Sequence, residues 1–279
     1  MKEIEFHVGS TVIAGLDNQV QGDVIIGLHG FLDNAESLLP LAPYLNHYRF
    51  IALDLAGHGK SSHRPLAAHY NQADYIQDLF AIISDNEWKN VILVGHSLGG
   101  IICSLFAGLF PELVKGVISL DSCGPLTKPE DTTAQQMRES VLSRHEKSRN
   151  RLRTVDLETA VQARCKVSDT KEEDARKIIQ RNLTQDAGGH CFWSSDPRLR
   201  TRSTVRLTEG QAENIMRQID CPVLFTSARA SFKQVDSVYA QRKQWFKQSE
   251  CVAFEGGHHV HMEKPDEIGP VIREFVDQL

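Results

Sequence analysis

The sequence predicts an α/β fold with a mostly parallel central sheet that is flanked by helices. Short, continuous apolar runs alternate with helical patterns before residue 123, and the same alternation returns after residue 218. Apolar strands separated by helices are typical of βαβ units, whose parallel sheet is covered on both faces. Residues 124–218 differ, because they are charged and mostly helical in pattern, with no convincing strand. We therefore predict a core in two parts, residues 1–123 and 219–279, with a helical lid (residues 124–218) inserted between core strands.

Each core element has its own signal in the sequence. Apolar, β-branched runs predict strands, and they cover residues 23–30, 50–59, 90–97, 116–122, 221–228 and 251–257. Apolar residues at helical spacing predict helices, and they cover residues 35–45, 74–84, 98–109, 235–247 and 265–278. The order of these elements indicates one sheet domain with a helical insertion.

Composition excludes several classes of protein. The chain has 279 residues, of which 41% are hydrophobic, and its net charge of −5 gives no reason to expect nucleic acid as a partner. Six scattered cysteines form no CxxC pair and no metal-type spacing. The first ten residues lack the apolar region of a secretory signal, and no apolar run reaches the ~18 residues of a membrane-spanning helix. We expect a cytoplasmic monomer or homodimer without a membrane partner.

The strongest functional signal is the stretch "VILVGHSLGG", which contains Gly95-His96-Ser97-Leu98-Gly99. This G-x-S-x-G follows a predicted strand and precedes a predicted helix, which is the context of a nucleophilic serine. Such a serine occupies a tight, strained turn, where flanking Cβ atoms would collide with the neighbouring chain. The helix also directs its N-terminal N–H groups and its positive dipole end at the reaction centre. We predict Ser97 as the nucleophile.

A second signal is "LHGFLDN", in which His29-Gly30-Phe31 follows the first strong central strand. Acyl transfer places negative charge on the former carbonyl oxygen, and two backbone N–H groups usually stabilise it. One N–H comes from the residue after the serine, here Leu98, and the other from this earlier loop. We assign the second donor to Phe31, and we expect Asp33 to brace the loop.

The third signal is "EGGHHVHMEKP", which holds His258, His259 and His261 behind a predicted strand. A serine hydroxyl needs a base to take its proton, and histidine suits neutral pH. His-x-His spacing also raises a metal site, but no partner cysteine or carboxylate cluster of suitable spacing accompanies it. We therefore expect a base here and no metal.

The order of these motifs resembles the α/β-hydrolase fold superfamily over nearly the whole chain. The motifs are strand–HG, "LDLAGHGKS", "GHSLGG", a helical insertion and "GGHHVHMEKP". In that family the base is the histidine of a GH-x4-E-x-P pattern, which Gly257-His258, Glu263 and Pro265 match. The resemblance therefore implies His258 as the base. The segment "GGHCFWSSDPRLR" is in addition similar to a lid signature of serine hydrolase-like (Kraken-type) proteins.

The acid that would orient the base is absent from its usual place. In this family it follows the strand after the lid, where this sequence has "TSARAS" and no carboxylate. Asp121 ends the preceding predicted strand, and the carboxyl ends of parallel strands face the same crevice. Asp236, in a predicted first helical turn, is the alternative acid. We favour Asp121, although a chain without a catalytic acid remains a third possibility.

The resemblance and the motifs together predict a serine hydrolase that cleaves a carboxylic ester or thioester of a small-molecule acyl substrate through an acyl-enzyme, without a cofactor. Carbon–carbon bond, lactone and amide hydrolysis use the same triad and stay open. A weakly active or non-catalytic ligand-binding homologue is the rival class, because of the empty "TSARAS" loop. For the substrate pocket we expect His29, His96, Phe192 and Trp193.

Overall fold

The computed structural model of the chain describes residues 1–147, 154–167, 170–231 and 234–279. Its strands, within these residues, are β1 (Lys2–Val8), β2 (Thr11–Asp17), β3 (Val24–Leu28), β4 (Arg49–Leu53), β5 (Val91–His96), β6 (Val114–Leu120), β7 (Leu183–Gln185), β8 (Cys191–Trp193), β9 (Val223–Ala228) and β10 (Ser249–Phe254). The α-helices of the same residues are α1 (Gln72–Asp85), α2 (Leu98–Leu109), α3 (Thr133–Lys147), α4 (Leu157–Val167), α5 (Glu172–Arg181), α6 (Glu209–Met216), α7 (Val235–Arg242), α8 (Val260–Glu263) and α9 (Pro265–Asp277). Short 3₁₀ helices cover Ala35–Leu45, Pro111–Leu113, Glu130–Thr132, Pro197–Arg200 and Lys243–Trp245.

Eight strands form one central sheet in the order β1-β2-β4-β3-β5-β6-β9-β10. The strands from β4 to β10 pair in parallel, whereas β1 pairs with β2 and β2 with β4 in antiparallel fashion. The predicted fold class is confirmed. The β1–β2 hairpin is not predicted from the sequence. The strand β1 is an edge strand whose alternating residues face solvent, so it has no continuous apolar run.

The predicted helix at residues 35–45 is a 3₁₀ helix, Ala35–Leu45, with Pro40 and Pro43 inside it. Proline has no N–H group to donate, so regular α-helical hydrogen bonding is broken at two positions. Asn34 caps its start by accepting a hydrogen bond from the N–H of Glu36 at 3.1 Å. The helix packs on the sheet face that α8 and α9 also cover.

The inserted segment, residues 124–218, leaves the sheet after β6 and returns at β9. These two strands are direct neighbours, with Leu120 opposite Thr226, so the insertion does not interrupt the sheet. The segment contains α3 to α6 and also the hairpin β7–β8, which the sequence analysis did not predict. Strands of three residues are too short for a recognisable apolar run. The predicted helical character of residues 148–153 and 168–169 lies outside the described residues.

The "SDPRL" stretch of the inserted segment is bound to the core. Asp196 donates its backbone N–H to the carbonyl of Gly57 at 2.9 Å and accepts a hydrogen bond from Tyr70 at 2.7 Å. Arg198 pairs with Asp196 at 2.6 Å and donates to the carbonyl of Arg64 at 2.5 Å. A largely buried arginine–carboxylate pair with further hydrogen bonds restrains geometry. This stretch therefore fixes one end of the inserted segment against the loop that follows β4.

The core lies in two layers on the two faces of the sheet. One layer packs α1, α2 and α7 against it, with Phe106 and Phe225 fully buried, and the other packs α9, with Phe50 fully buried. None of the helices in the described ranges has the length and apolar character that crossing a bilayer requires.

Replacing Gly99 with Ala should lower the free energy of unfolding by about 3 kcal/mol, because overpacking against rigid backbone is costly. A Cβ at this position would lie 2.0 Å from the carbonyl oxygen of Leu28. The matched control is Gly210→Ala in α6, where a Cβ meets nothing within 4 Å, and it should be neutral or stabilising by up to about 1 kcal/mol. Urea denaturation measures both, and equal stabilities would contradict the prediction.

Candidate active site

Ser97 lies between the end of β5 and the start of α2, on a strained backbone. Its φ of 51° and ψ of −108° are rare for a residue with a Cβ. Two hydrogen bonds support the turn: Ser97 N–H to the carbonyl of Leu120 at 2.9 Å, and Gly99 N–H to the carbonyl of His29 at 3.1 Å. A Cβ on Gly95 would lie 2.3 Å from the carbonyl carbon of Gly99. The turn therefore has the geometry that the G-x-S-x-G motif predicts.

Asp121 follows β6 and its carboxylate is completely buried. Its Oδ2 lies 2.5 Å from Nδ1 of His258 and accepts a hydrogen bond from Ser231 Oγ at 2.5 Å. Its Oδ1 accepts a hydrogen bond from the N–H of Ala228 at 3.1 Å. Because β6 and β9 are neighbours, the last residue of β9 and the loop after it each supply one donor to the carboxylate that follows β6. The acid-free "TSARAS" loop thus surrounds Asp121.

Asp236, the alternative acid, has different partners. It accepts a hydrogen bond from Ser227 Oγ at 2.5 Å and lies 3.9 Å from Cys251 Sγ, in the first turn of α7. Of the two candidate acids, the structure brings Asp121 and not Asp236 onto the imidazole of His258.

The loop that carries His258 is fixed on both sides. Glu263 accepts a hydrogen bond from the N–H of Gly257 at 2.7 Å, which explains the glutamate of the GH-x4-E-x-P pattern. His96 donates from Nε2 to the carbonyl of His258 at 2.8 Å. The side chain of His258 is 14% exposed. Its Nδ1 is therefore oriented from within the protein while the ring keeps access to solvent.

The loop after β3 forms a four-residue turn, Gly30 to Asp33. The N–H of Asp33 donates to the carbonyl of Gly30 at 3.1 Å, and Leu32 has a φ of 64°. His29 holds the turn, since its Nδ1 donates to the Gly30 carbonyl at 2.7 Å. Among the hydrogen bonds of the described residues, none uses the N–H of Phe31 or Leu98. Both N–H groups are thus without an intramolecular acceptor.

A cavity of about 210 Å³ opens beside Ser97. Its apolar wall includes Ile101, Val235 and Val238. Arg242 also lines the cavity, but its guanidinium is engaged by Glu209 at 2.8 Å and by the Cys123 carbonyl at 2.8 Å. The cavity therefore presents mainly apolar surface rather than a free positive charge.

The four residues expected in the pocket lie elsewhere. The cavity wall, as far as the described residues define it, does not include His29, His96, Phe192 or Trp193. His29 and His96 are completely or almost completely buried, and His29 Nε2 accepts a hydrogen bond from the N–H of Leu55 at 2.9 Å. Phe192 and Trp193 lie on β8 of the inserted segment, and Trp193 is 40% exposed. The two histidines support the loops around Ser97 instead.

Three side chains beneath these loops could offer ligands to a metal ion. One atom each of Asp33, His96 and His259 lies within 4.8 Å of the others, a grouping that sequence spacing could not reveal because the residues come from three separate segments of the chain. However, Nη2 of Arg164 lies 2.7 Å from Oδ1 of Asp33. The guanidinium already supplies the positive charge that the carboxylate needs, and a metal ion would have to displace it.

The electrostatics beneath these loops favour a neutral His96, a neutral His261 and a charged Asp33. Burial lowers the pKa of His96 well below its usual range, and it lowers the pKa of His261 to about 3. Burial alone would raise the pKa of Asp33, but Arg164 and His259 outweigh it and hold this pKa well below its ordinary value.

Three contributors to the site have only weak signals in the sequence. Ser231 is one of two serines in the loop where an acid was expected. His259 directly follows His258, and the sequence gives it no role of its own. Arg164 lies in α4 with one other basic residue, Lys166, and no local pattern distinguishes it.

The fold and this site define the class of protein. The chain matches the family model described as alpha/beta hydrolase fold over residues 23–265, and it belongs to that family. It is 29% identical to a serine hydrolase-like protein of Danio rerio, over 91% of this chain and 82% of that protein. It is 30% identical to a probable serine hydrolase of Drosophila melanogaster, over 91% of this chain and 81% of that protein.

A solved structure extends the similarity to nearly every residue. A hypothetical protein of Pseudomonas aeruginosa superposes with a TM-score of 0.91 and 31% identity, covering 99% of this chain and 100% of that one. Family membership and the names of the relatives together support a hydrolase.

The protein should lose stability below about pH 6.5, where histidines become protonated in the unfolded chain. Burial lowers the pKa of His29 to about 4 and the pKa of His58 and His261 to about 3. Because these three are neutral in the fold, their contribution is fully present above the unfolded pKa and declines as the pH falls. Each accounts for up to about 1.4 kcal/mol per pH unit in that window.

Urea denaturation at a series of pH values measures this slope. His261→Gln should make it shallower by about the contribution of one histidine. A free energy of unfolding that is constant between about pH 7 and about pH 5 would contradict the prediction.

Proposed function

We propose that the protein is a serine hydrolase that cleaves a carboxylic ester or thioester through Ser97, His258 and Asp121. The observation that carries the proposal is the 2.5 Å contact between Asp121 Oδ2 and His258 Nδ1. A carboxylate at Nδ1 selects the tautomer whose Nε2 is free to accept a proton, and it stabilises the imidazolium that forms.

In the proposed reaction, Ser97 Oγ forms a bond to the acyl carbon while His258 Nε2 accepts the hydroxyl proton. The carbonyl oxygen becomes an oxyanion and accepts hydrogen bonds from the N–H groups of Phe31 and Leu98, which have no acceptor within the described protein. Collapse of this intermediate breaks the bond to the leaving group, to which His258 returns the proton. Water then attacks the acyl-enzyme by the same steps and releases the acid.

The cavity beside Ser97 supports a small-molecule acyl substrate. Its wall of Ile101, Val235 and Val238 suits an apolar acyl group, and its volume of about 210 Å³ suits a short one. The proposed lid is the inserted segment, residues 124–218, which supplies residues 124–127 to the same cavity. No cofactor takes part in the proposed reaction.

The same three residues would also serve hydrolysis of carbon–carbon bonds, lactones or amides. Measuring turnover of a panel of such substrates distinguishes these reactions from ester hydrolysis. A non-catalytic ligand-binding protein is the other alternative. The relocated carboxylate favours catalysis over this alternative, because Asp121 has the contact that an orienting acid requires.

We also propose a reducing, cytoplasmic setting. All six cysteines are free thiols, and Cys103, Cys123 and Cys221 are buried. Free thiols are usual where glutathione keeps cysteines reduced. The proposed protein is a monomer or a homodimer.

A fluorophosphonate should label the protein once, at Ser97, because only a serine with a working base reacts rapidly. Intact-mass measurement followed by peptide mapping gives the number and position of adducts. Ser97→Ala should abolish labelling, whereas Ser122→Ala, at a second serine of the cavity wall, should retain it. Absence of labelling in the folded wild-type protein would contradict an activated, accessible nucleophile.

Asp121→Asn should lower kcat/KM for a p-nitrophenyl ester by about 10³- to 10⁴-fold, because an amide at this position favours the wrong tautomer of His258. Asp236→Asn is the matched control and should retain activity within about threefold. Steady-state kinetics on both variants decide between the candidate acids. A larger loss in Asp236→Asn than in Asp121→Asn would reverse the assignment.

A further inference from the structure

The loop that carries the proposed oxyanion donor is strained and depends on support from outside itself. Leu32 has a φ of 64°, a conformation that residues with a Cβ rarely adopt. Within the turn, the bond from Asp33 N–H to the Gly30 carbonyl at 3.1 Å closes the backbone. A strained turn persists only where its surroundings determine its conformation.

The inserted segment supplies that support at three points. Arg164 of α4 places Nη2 2.7 Å from Asp33 Oδ1. Asn182, directly after α5, donates from Nδ2 to the carbonyl of Leu32 at 3.3 Å. Asn34 of the loop donates from Nδ2 to the carbonyl of Ile178 in α5 at 2.8 Å. The turn is thus bonded to two helices that lie outside the sheet domain.

Arg164 also reaches the loop of the proposed base. Its Nη2 lies 3.0 Å from Nε2 of His259, the residue directly after His258. The same nitrogen of His259 lies 3.2 Å from Oδ2 of Asp33. One guanidinium therefore contacts both loops, and the two loops contact each other through Asp33 and His259.

Because Asp33 is buried, losing its contact with Arg164 would be costly. Asp33 is 1% exposed and the side chain of Arg164 is 16% exposed. A buried carboxylate that loses its cation is strongly destabilised, and its surroundings rearrange to recover a partner or water. Movement of α4 away from the core would therefore disturb the turn of Phe31 and the loop of His258 together.

We propose that Arg164 is a positioning residue through which the inserted segment holds the loop of Phe31 and the loop of His258 in their catalytic arrangement. The functional part of this inference rests on the proposed function, because it assigns catalytic roles to those loops. The inserted segment then does more than cover the cavity. Its seating on the core completes the catalytic geometry, and substrate turnover requires the seated position.

The test compares Arg164→Gln and Arg164→Lys with Arg176→Gln. Arg176 is the control because it lies in the same inserted segment and pairs with Glu158 and Glu172 on the surface, away from both loops. Turnover of a p-nitrophenyl ester is measured per active site, with the sites counted by fluorophosphonate labelling. Counting the sites separates a loss of folded protein from a loss of catalytic rate.

Arg164→Gln should lower kcat per site by about 10- to 100-fold and leave KM within about threefold, because the displaced groups act mainly in the transition state. Arg164→Lys retains the charge beside Asp33 and should recover part of this loss. Arg176→Gln should match the wild type. Equal kcat per site in all four proteins would overturn the inference.

Hydrogen exchange measured by mass spectrometry provides a readout that needs no activity. Arg164→Gln should speed exchange in residues 29–36 and 257–262, whereas Arg176→Gln should not. If the wild type proves inactive while this coupling appears, the proposed function fails and the structural coupling stands. If the wild type is active and exchange is unchanged in Arg164→Gln, the inference fails and the proposed function stands.

Arg164→Gln leaves a buried carboxylate without its cation and can therefore fail to fold. In that case the double variant Asp33→Asn with Arg164→Gln, which removes both charges, is measured in its place. It should show the same fall in kcat per site as expected for Arg164→Gln, and wild-type turnover by this variant would overturn the inference.

Discussion

The parallel pairing of β6 with β9 is the constraint on which the site depends. The chain leaves the sheet after β6, forms the inserted segment and returns in the adjacent strand, with Leu120 opposite Thr226. Asp121 therefore ends one strand beside the end of the next, where Ala228 and Ser231 donate hydrogen bonds to it. The carboxylate of Asp121, directly after β6, contacts Nδ1 of His258 at 2.5 Å.

Three residues with a strained backbone lie at the same end of the sheet. Ser97, Leu32 and Asp121 all have positive φ, and each costs of order 1–3 kcal/mol relative to an unstrained position. Close packing compensates for this cost. Gly99 packs so closely against Leu28 that no Cβ would fit between them. Hydrogen bonds from Ala228 and Ser231 hold the carboxylate of Asp121 in place. The three strained positions thus lie in or beside the proposed nucleophile, oxyanion donor and acid.

Beneath these groups lies a cluster of buried titratable side chains. The rings of His96 and His261 are tilted against each other with their centres 4.3 Å apart, and burial lowers the pKa of both. Asp33 stays charged because Arg164 and His259 face it. The charge that stabilises this cluster comes from the inserted segment, so the electrostatics of the core and the position of α4 are linked. Buried neutral histidines and the Asp33–Arg164 ion pair thus connect segments that are far apart in sequence.

The sequence alone determined the fold class, the strand-to-helix turn at Ser97 and the candidate roles of Phe31, Leu98 and His258. The fold class and the turn depend on local spacing, apolar runs for strands and glycines for tight turns. The choice of His258 as base depends on the resemblance of Gly257-His258, Glu263 and Pro265 to a pattern of the α/β-hydrolase family. The sequence also favoured Asp121 over Asp236 as the acid, but it left open a chain without a catalytic acid. Only the register of β6 against β9 decided which carboxylate lies on His258.

The tertiary structure also decided matters that have no local signal. The sequence places His29 and His96 within the catalytic motifs, so they were expected in the substrate pocket. The structure buries both side chains, where they support loops from the interior. In the sequence, nothing distinguishes Arg164 from other basic residues of the inserted segment. Only the folded structure shows its contacts with Asp33 and His259. Local chemistry can be inferred from spacing along the chain, but contacts between distant segments depend on packing, which no single stretch encodes.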